Sequence, residues 1–253
     1  MKKVSKILGF IALVAIMVFT FAACEEDGGG DHNPNPGGNN SGGGGSGSGD
    51  SGTTMGATLS ITNEQIWHFN GESNTLYNGS PAIISAIGID ENNRQVSIGG
   101  SGNITNGRLT FSIGTPSVLK SIASETIFTY GNYGLSNINI QINPSEAQSM
   151  SLDFISTNAD SGHGVLGKVR YPSMTNAIIS METVNYIYVD RDVTISSPGG
   201  AFDENVSYAA FNMTLRQGWN AITMNITGTQ QSGNTTFSLG DSSSANWTNL
   251  EIW

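Results

Sequence analysis

Ile104-Thr105-Asn106-Gly107-Arg108-Leu109-Thr110-Phe111-Ser112-Ile113 decides the fold class. Asn106-Gly107 is the preferred pair for a two-residue type I′ turn, because both positions need positive φ. Beyond the turn, Leu109, Phe111 and Ile113 alternate with Arg108, Thr110 and Ser112. That alternation makes one face of the strand apolar and the other polar. The stretch predicts a β-hairpin with one buried face.

The same reading extends in both directions. Leu59-Ser60-Ile61 opens a strand, and Ala82–Ile89 forms a longer one that ends in the polar turn Asp90-Glu91-Asn92-Asn93. Downstream, Ile138, Ile140 and Ile142 alternate with polar residues. Asn143-Pro144-Ser145-Glu146 then combines an Asn cap, Pro at the first position and Glu at the third, which predicts a single helical turn. Further strands are expected over residues 152–155, 165–171 and 184–195. Phe211, Met213 and Leu215 alternate before Arg216-Gln217-Gly218, which reads as a hairpin loop leading into Trp219–Ile226. Asn249–Trp253 reads as a terminal strand. No window after residue 57 carries an apolar stripe of helical period. The expected fold is therefore all-β, with tandem antiparallel β-sandwich-like domains. An N-terminal β domain is expected over 58–124 and a C-terminal one over 125–253, divided where Pro116–Glu125 interrupts the strand pattern.

Ahead of the β region the chain changes character twice. Lys2, Lys3 and Lys6 precede an apolar run of 15 residues, Ile7–Phe21. That is the length of a secretory signal and short of the roughly 20 residues of a spanning helix. Ala22-Ala23-Cys24 follows, and small residues ahead of a cysteine resemble the lipobox of bacterial lipoproteins. The resemblance implies a signal peptide over 1–23, removed on processing, and lipidation of Cys24 as the new first residue. Cys24 is the only cysteine in the chain. No internal disulfide can form, so stability must come from a packed core. Residues 24–57 then read as an acylated cysteine followed by a disordered linker. Between Gly28 and Gly56, 13 of 29 residues are Gly, too little apolar surface to offset the entropy of ordering. A coil of this kind reaches roughly 30 Å from its anchor.

Charge narrows the partners. The chain has 10 basic and 20 acidic residues, and loss of residues 1–23 removes three lysines and no acid, leaving 7 and 20. A surface with that excess of acid repels phosphate backbones, so no nucleic acid is expected as partner. Membrane attachment must come through the acyl group at Cys24, since no polybasic patch supplies a second signal. The expected location is the outer membrane, with the folded part on its periplasmic or exterior side. Asn185-Tyr186-Ile187-Tyr188-Val189-Asp190-Arg191-Asp192-Val193-Thr194-Ile195, then Leu215-Arg216-Gln217-Gly218-Trp219-Asn220, resembles a pattern in uncharacterised surface lipoproteins of diderm bacteria. Gly102–Phe111 is similar to an upstream segment of that group. The resemblance bears on architecture and implies no activity.

Candidate chemistry is sparse. Ser117-Val118-Leu119-Lys120 fits the S-x-x-K of penicillin-recognising enzymes, but the companion S-D-N and K-T-G elements are missing from the chain. His32, His68 and His163 lie far apart, so a zinc site is not expected. Asp190-Arg191-Asp192 with Asp203-Glu204-Asn205 offers oxygens of the kind calcium takes, against a reading as cross-strand charge pairs with Arg191 opposite the two carboxylates. Trp219, Trp247 and Trp253 read as packing residues, whereas Trp67, beside His68 and Phe69, is the candidate ligand contact. No catalytic residue, metal or cofactor is expected. The function expected is a non-catalytic binding or adhesion module with a glycan or protein as ligand, displayed from the envelope. The alternatives are a glycan-acting hydrolase and a purely structural envelope lipoprotein. Oligomeric state is left open.

Overall fold

The computed structural model describes residues 52–250, except 70–73, 79–80, 93, 126–138, 157–163, 171–178, 202–204 and 230–231. The strands, in chain order, are β1 Gly52–Thr54, β2 Leu59–Phe69, β3 Asn74–Leu76, β4 Ala82–Ile89, β5 Gln95–Thr105, β6 Arg108–Ile113 and β7 Lys120–Ser121. There follow β8 Gln141–Asn143, β9 Gln148–Ser151, β10 Asp153–Ser156, β11 Gly164–Arg170, β12 Ile179–Val189 and β13 Val193–Ser197. The last six are β14 Gly200–Ala201, β15 Val206–Tyr208, β16 Phe211–Leu215, β17 Gly218–Gly228, β18 Gly233–Leu239 and β19 Asn246–Leu250. Among the described residues there is no α-helix, only one 3-10 turn at Ile122–Ser124. The chain is all-β and sandwich-like.

The hairpin that set the fold class is β5–β6. Ile104 pairs with Leu109 and Thr105 with Arg108, while Asn106 and Gly107 take φ of 52° and 71°. Side chains along β6 alternate exposed and buried, with Leu109, Phe111 and Ile113 inside. From this hairpin the sheet runs β2–β6–β5–β4–β10–β11. β19 then pairs with both β11 and β2, so seven strands close on themselves as a ring. Closure removes the open edges that a sheet of this size would otherwise present.

β12 and β17 form the wall between two cores. Val184, Tyr186 and Tyr188 of β12, with Trp219 and Ala221 of β17, face a core built with Leu59, Ile84, Phe111 and Trp247. Ile187 and Val189, with Ile222, face a second core made with Val193, Ile195, Met213 and Leu215. A strand buried on both faces needs apolar residues at successive positions. The sequence Tyr186-Ile187-Tyr188-Val189 supplies them. The second core is capped by a separate three-stranded sheet, β16–β13–β8.

Several expectations change here. The split at residue 124 does not separate the cores, because β4 pairs with β10, β2 pairs with β19, and the first core draws on both segments. The linker expected to run to residue 57 ends earlier. Gly52–Thr54 pairs with Ser60–Thr62, and the Gly56 carbonyl accepts the Trp219 N–H at 2.7 Å. That approach needs glycine at 218, where a Cβ would stand 2.3 Å from the Gly56 oxygen. Residues 184–195 are not one strand: the chain turns at Asp190–Asp192 and passes into the smaller sheet. Likewise β16 and β17 are not a hairpin, since β16 pairs with β13 while β17 pairs with β12 and β18. Finally, Pro144–Ala147 is a turn, with the Ala147 N–H on the Pro144 carbonyl at 3.4 Å, rather than a turn of α-helix. Asn143, preceding a cis peptide bond, uses its backbone in the ladder opposite Thr194 instead of capping a helix. Cys24 and the rest of the signal and linker segment, through residue 51, lie outside the described residues.

Candidate functional site

Lys168 and Arg170 on β11 lie opposite Val184 and Glu182 on β12, so the alternation of each strand puts Lys168, Arg170, Glu182 and Tyr186 on one face. The segment Gly240–Ala245 between β18 and β19 meets them. Lys168 Nζ donates to Asp241 Oδ1 at 2.5 Å, and Tyr186 OH donates to Asp241 Oδ2 at 3.1 Å. The hydroxyls of Ser242 and Ser244 both donate to Glu182 Oε1, the latter at 2.8 Å. Arg170 Nη2 lies 3.7 Å from Glu182 Oε2. Beneath this cluster Tyr186 stacks on Trp247, their rings 10° from parallel with centroids 5.7 Å apart. Lys168 and Glu182 are buried while half of the Arg170 side chain reaches solvent, so the cluster opens on that side. It holds two cations against two carboxylates, each carboxylate also hydrogen-bonded, as buried charge requires.

A second ionic group is deeper. Lys120 and Glu125, 2% and 0% exposed, stand 3.4 Å apart. Ser149 Oγ donates to Glu125 Oε1 at 2.7 Å and Ser151 Oγ to Oε2 at 2.6 Å. This pair answers the S-x-x-K question, because Lys120 faces Glu125 and the Ser117 hydroxyl donates to the Ser97 carbonyl at 3.2 Å. Lysine and serine serve different partners, so the motif does not form the serine–lysine couple that the enzymes require.

The Asp190-Arg191-Asp192 segment clamps two chain corners. Asp192 accepts the Gln217 N–H at 2.8 Å and the Arg216 guanidinium at 2.7 Å, tying the β12–β13 corner to the β16–β17 corner. Those bonds, the Gln217 N–H foremost, hold the Asp192 carboxyl below its ordinary value. Burial pushes Asp190 the other way, but the Arg191 guanidinium and the Gln148 N–H outweigh it and lower that carboxyl too. Arg191 folds back onto Asp190 at 2.9 Å rather than pointing to the opposite face, because the segment is a turn and not a strand. Among the described residues no three His, Cys, Asp or Glu side chains gather as a metal site. Asp203 and Glu204 lie outside the described residues, as do His32, His163 and Trp253.

Trp67 is half-buried on β2, directly opposite Leu76 of β3 and Thr248 of β19. Its neighbour Ile66 points into the core, so Trp67 lies on the outer face of the ring beside Leu76, which is 57% exposed. His68 is half-buried on the same strand. Trp219 and Trp247 are core residues, as their pattern predicts, with Trp219 Nε1 on the Gly114 carbonyl at 2.8 Å. Lys168, Glu182 and Asp241 escaped the sequence reading. The signal available was a charge inside an otherwise uncharged, mostly apolar run, Val165-Leu166-Gly167-Lys168-Val169, but its partner lies 73 residues away.

Fold and site together define a sandwich-like all-β module with a closed sheet and internally paired charges. Comparison with protein-family models, curated proteins and solved structures found no match.

Proposed function

We propose that this chain is an envelope lipoprotein, acylated at Cys24 and held on the outer membrane, whose folded part is a non-catalytic binding or adhesion module. The observation that carries the reading is the position of the single cysteine. It ends a 15-residue apolar run behind two alanines and stands directly ahead of a Gly-rich segment.

The ligand class follows from the charges. All seven basic residues after residue 23 are described, and each is already engaged. Arg94 meets Asp90, Lys120 meets Glu125, and Lys168 meets Asp241. Arg170 meets Glu182, Arg191 meets Asp190, Arg216 meets Asp192, and Arg108 donates to the Asn63 carbonyl. An anionic ligand would have to compete with a carboxylate at every one of them but Arg108, whose guanidinium bonds a backbone carbonyl. A neutral glycan or a protein surface would not, and Trp67 beside Leu76 offers the apolar contact such ligands use.

The chain from residue 24, with Cys24→Ala, should bind neutral glycans or an envelope or host protein on arrays without turning over hydrolase substrates. Trp67→Ala should weaken that binding while the variant stays folded, its unfolding midpoint lowered only by the loss of a half-buried ring. The reading fails if a substrate is hydrolysed and Glu182→Gln or Asp241→Asn abolishes the turnover.

A further inference from the structure

The ring is closed by β19, the last of the described strands. Among the described residues β2 and β11 do not pair with each other, and β19 lies between them. It runs parallel to β2, with Trp247, Thr248 and Asn249 opposite Ile66, Trp67 and His68. It runs antiparallel to β11, with Asn246–Leu250 opposite Val165–Val169. Five residues thus fill two strand edges at once. They also place Trp247, 2% exposed, into a core that other strands build.

A short link joins β18 to this strand. It starts at Gly240, whose φ of 119° only glycine adopts freely, and runs to Ala245. Gly240 bonds to Ala221 and Thr223 of β17, Ala245 is buried in the first core, and Asp241, Ser242 and Ser244 bond to Lys168, Tyr186 and Glu182. Those three acceptors and donors stand on β11 and β12, beside the groove that β19 fills. A β19 arriving from another molecule would find the same strand partners in the same places.

We propose that β19 is an exchangeable closing strand, and that the partner is a second copy of this chain, whose β19 fills the groove between β2 and β11. The contacts of β19 itself are the same in the exchanged and unexchanged forms, so the balance rests on concentration and on the link, whose own contacts change where it crosses between molecules. Reciprocal exchange closes a dimer, and one-way exchange propagates head to tail.

The test uses the chain from residue 24 with Cys24→Ala, in two differently tagged versions. One carries Gly167→Cys and the other Thr248→Cys, positions opposite each other across β11 and β19. Neither version can form an internal disulfide. The two are mixed, taken through partial unfolding and refolding in urea, and oxidised. Exchange predicts a band of twice the monomer mass carrying both tags, lost on reduction. Thr110→Cys, on the exposed face of β6, replaces Thr248→Cys to measure random collision. Leu166→Cys with Asn249→Cys, the adjacent register pair, repeats the test should Gly167→Cys fail to fold. Heterodimer from either register pair no more abundant than from the Thr110→Cys control overturns the proposal.

Discussion

Lys120→Met tests the buried ionic pair most sharply. Glu125 is fully buried and Lys120 nearly so, with 3.4 Å between Nζ and Oε2. At that separation an effective dielectric of about 20 gives an attraction of roughly 5 kcal/mol. The cost of taking both charges out of water offsets much of this, so the pair adds little net stability over a well-packed apolar pair. Removing one partner is different, because the other charge stays buried. Met fills much of the Lys120 volume but leaves the Glu125 carboxylate without its cation, a loss of about 3–5 kcal/mol. With a urea dependence of about 2 kcal/mol per molar, the midpoint should fall by roughly 1.5–2.5 M. The double variant Lys120→Met/Glu125→Leu should recover most of that loss, although Ser149 and Ser151 then lose their acceptor. Urea titrations followed by tryptophan fluorescence measure all three. A midpoint change for Lys120→Met under about 0.5 M, or a double variant no more stable than the single, would refute the argument.

Acid sensitivity follows from the lowered carboxylates. Asp90, bonded first by the Arg94 backbone N–H and then by its guanidinium, sits at about 2 against an ordinary 3.8, and Asp190 and Asp192 are also lowered. A lowered carboxylate contributes stability above its unfolded value and loses it as pH falls through the folded one. Unfolding midpoints should therefore drop between pH 4 and pH 2, and Asp90→Asn should flatten part of that slope. An unchanged slope counts against the Asp90–Arg94 contribution. Gly107→Ala should cost about 1–3 kcal/mol, because φ is 71° and the new Cβ would stand 2.3 Å from the Tyr77 carbonyl oxygen. Gly114→Ala, with nothing within 4 Å, is the control, and equal urea midpoints for the two would contradict the turn assignment.

What was legible in the chain was local. The Asn106-Gly107 turn and the alternation of β6 and β16 depend on neighbours within a few residues, and each formed where the pattern placed it. The corner at Asp190–Asp192 is hidden inside a pattern that reads as one strand, whereas the one at Arg216–Gln217 reads as a hairpin loop because a sharp strand-to-strand corner and a hairpin loop use the same residues. Only the pairing of β16 with β13, rather than β17, distinguishes them. The parallel entry of β19 beside β2 has no sequence signal, since its partners lie about 180 residues apart. The same holds for the site: Trp67 could be singled out for lack of a packing pattern, but Lys168 with Asp241 acquires meaning only after the sheet has closed.

Anchoring through Cys24 is open to one direct measurement. Cells expressing the full chain or its Cys24→Ala variant are labelled with a palmitate analogue, then extracted into a detergent that separates into phases. The full chain should carry label, run at the mass expected after loss of residues 1–23, and enter the detergent phase, while Cys24→Ala is unlabelled and stays aqueous. A full chain that takes no label, or a Cys24→Ala variant that still enters the detergent phase at unchanged size, contradicts the lipoprotein reading.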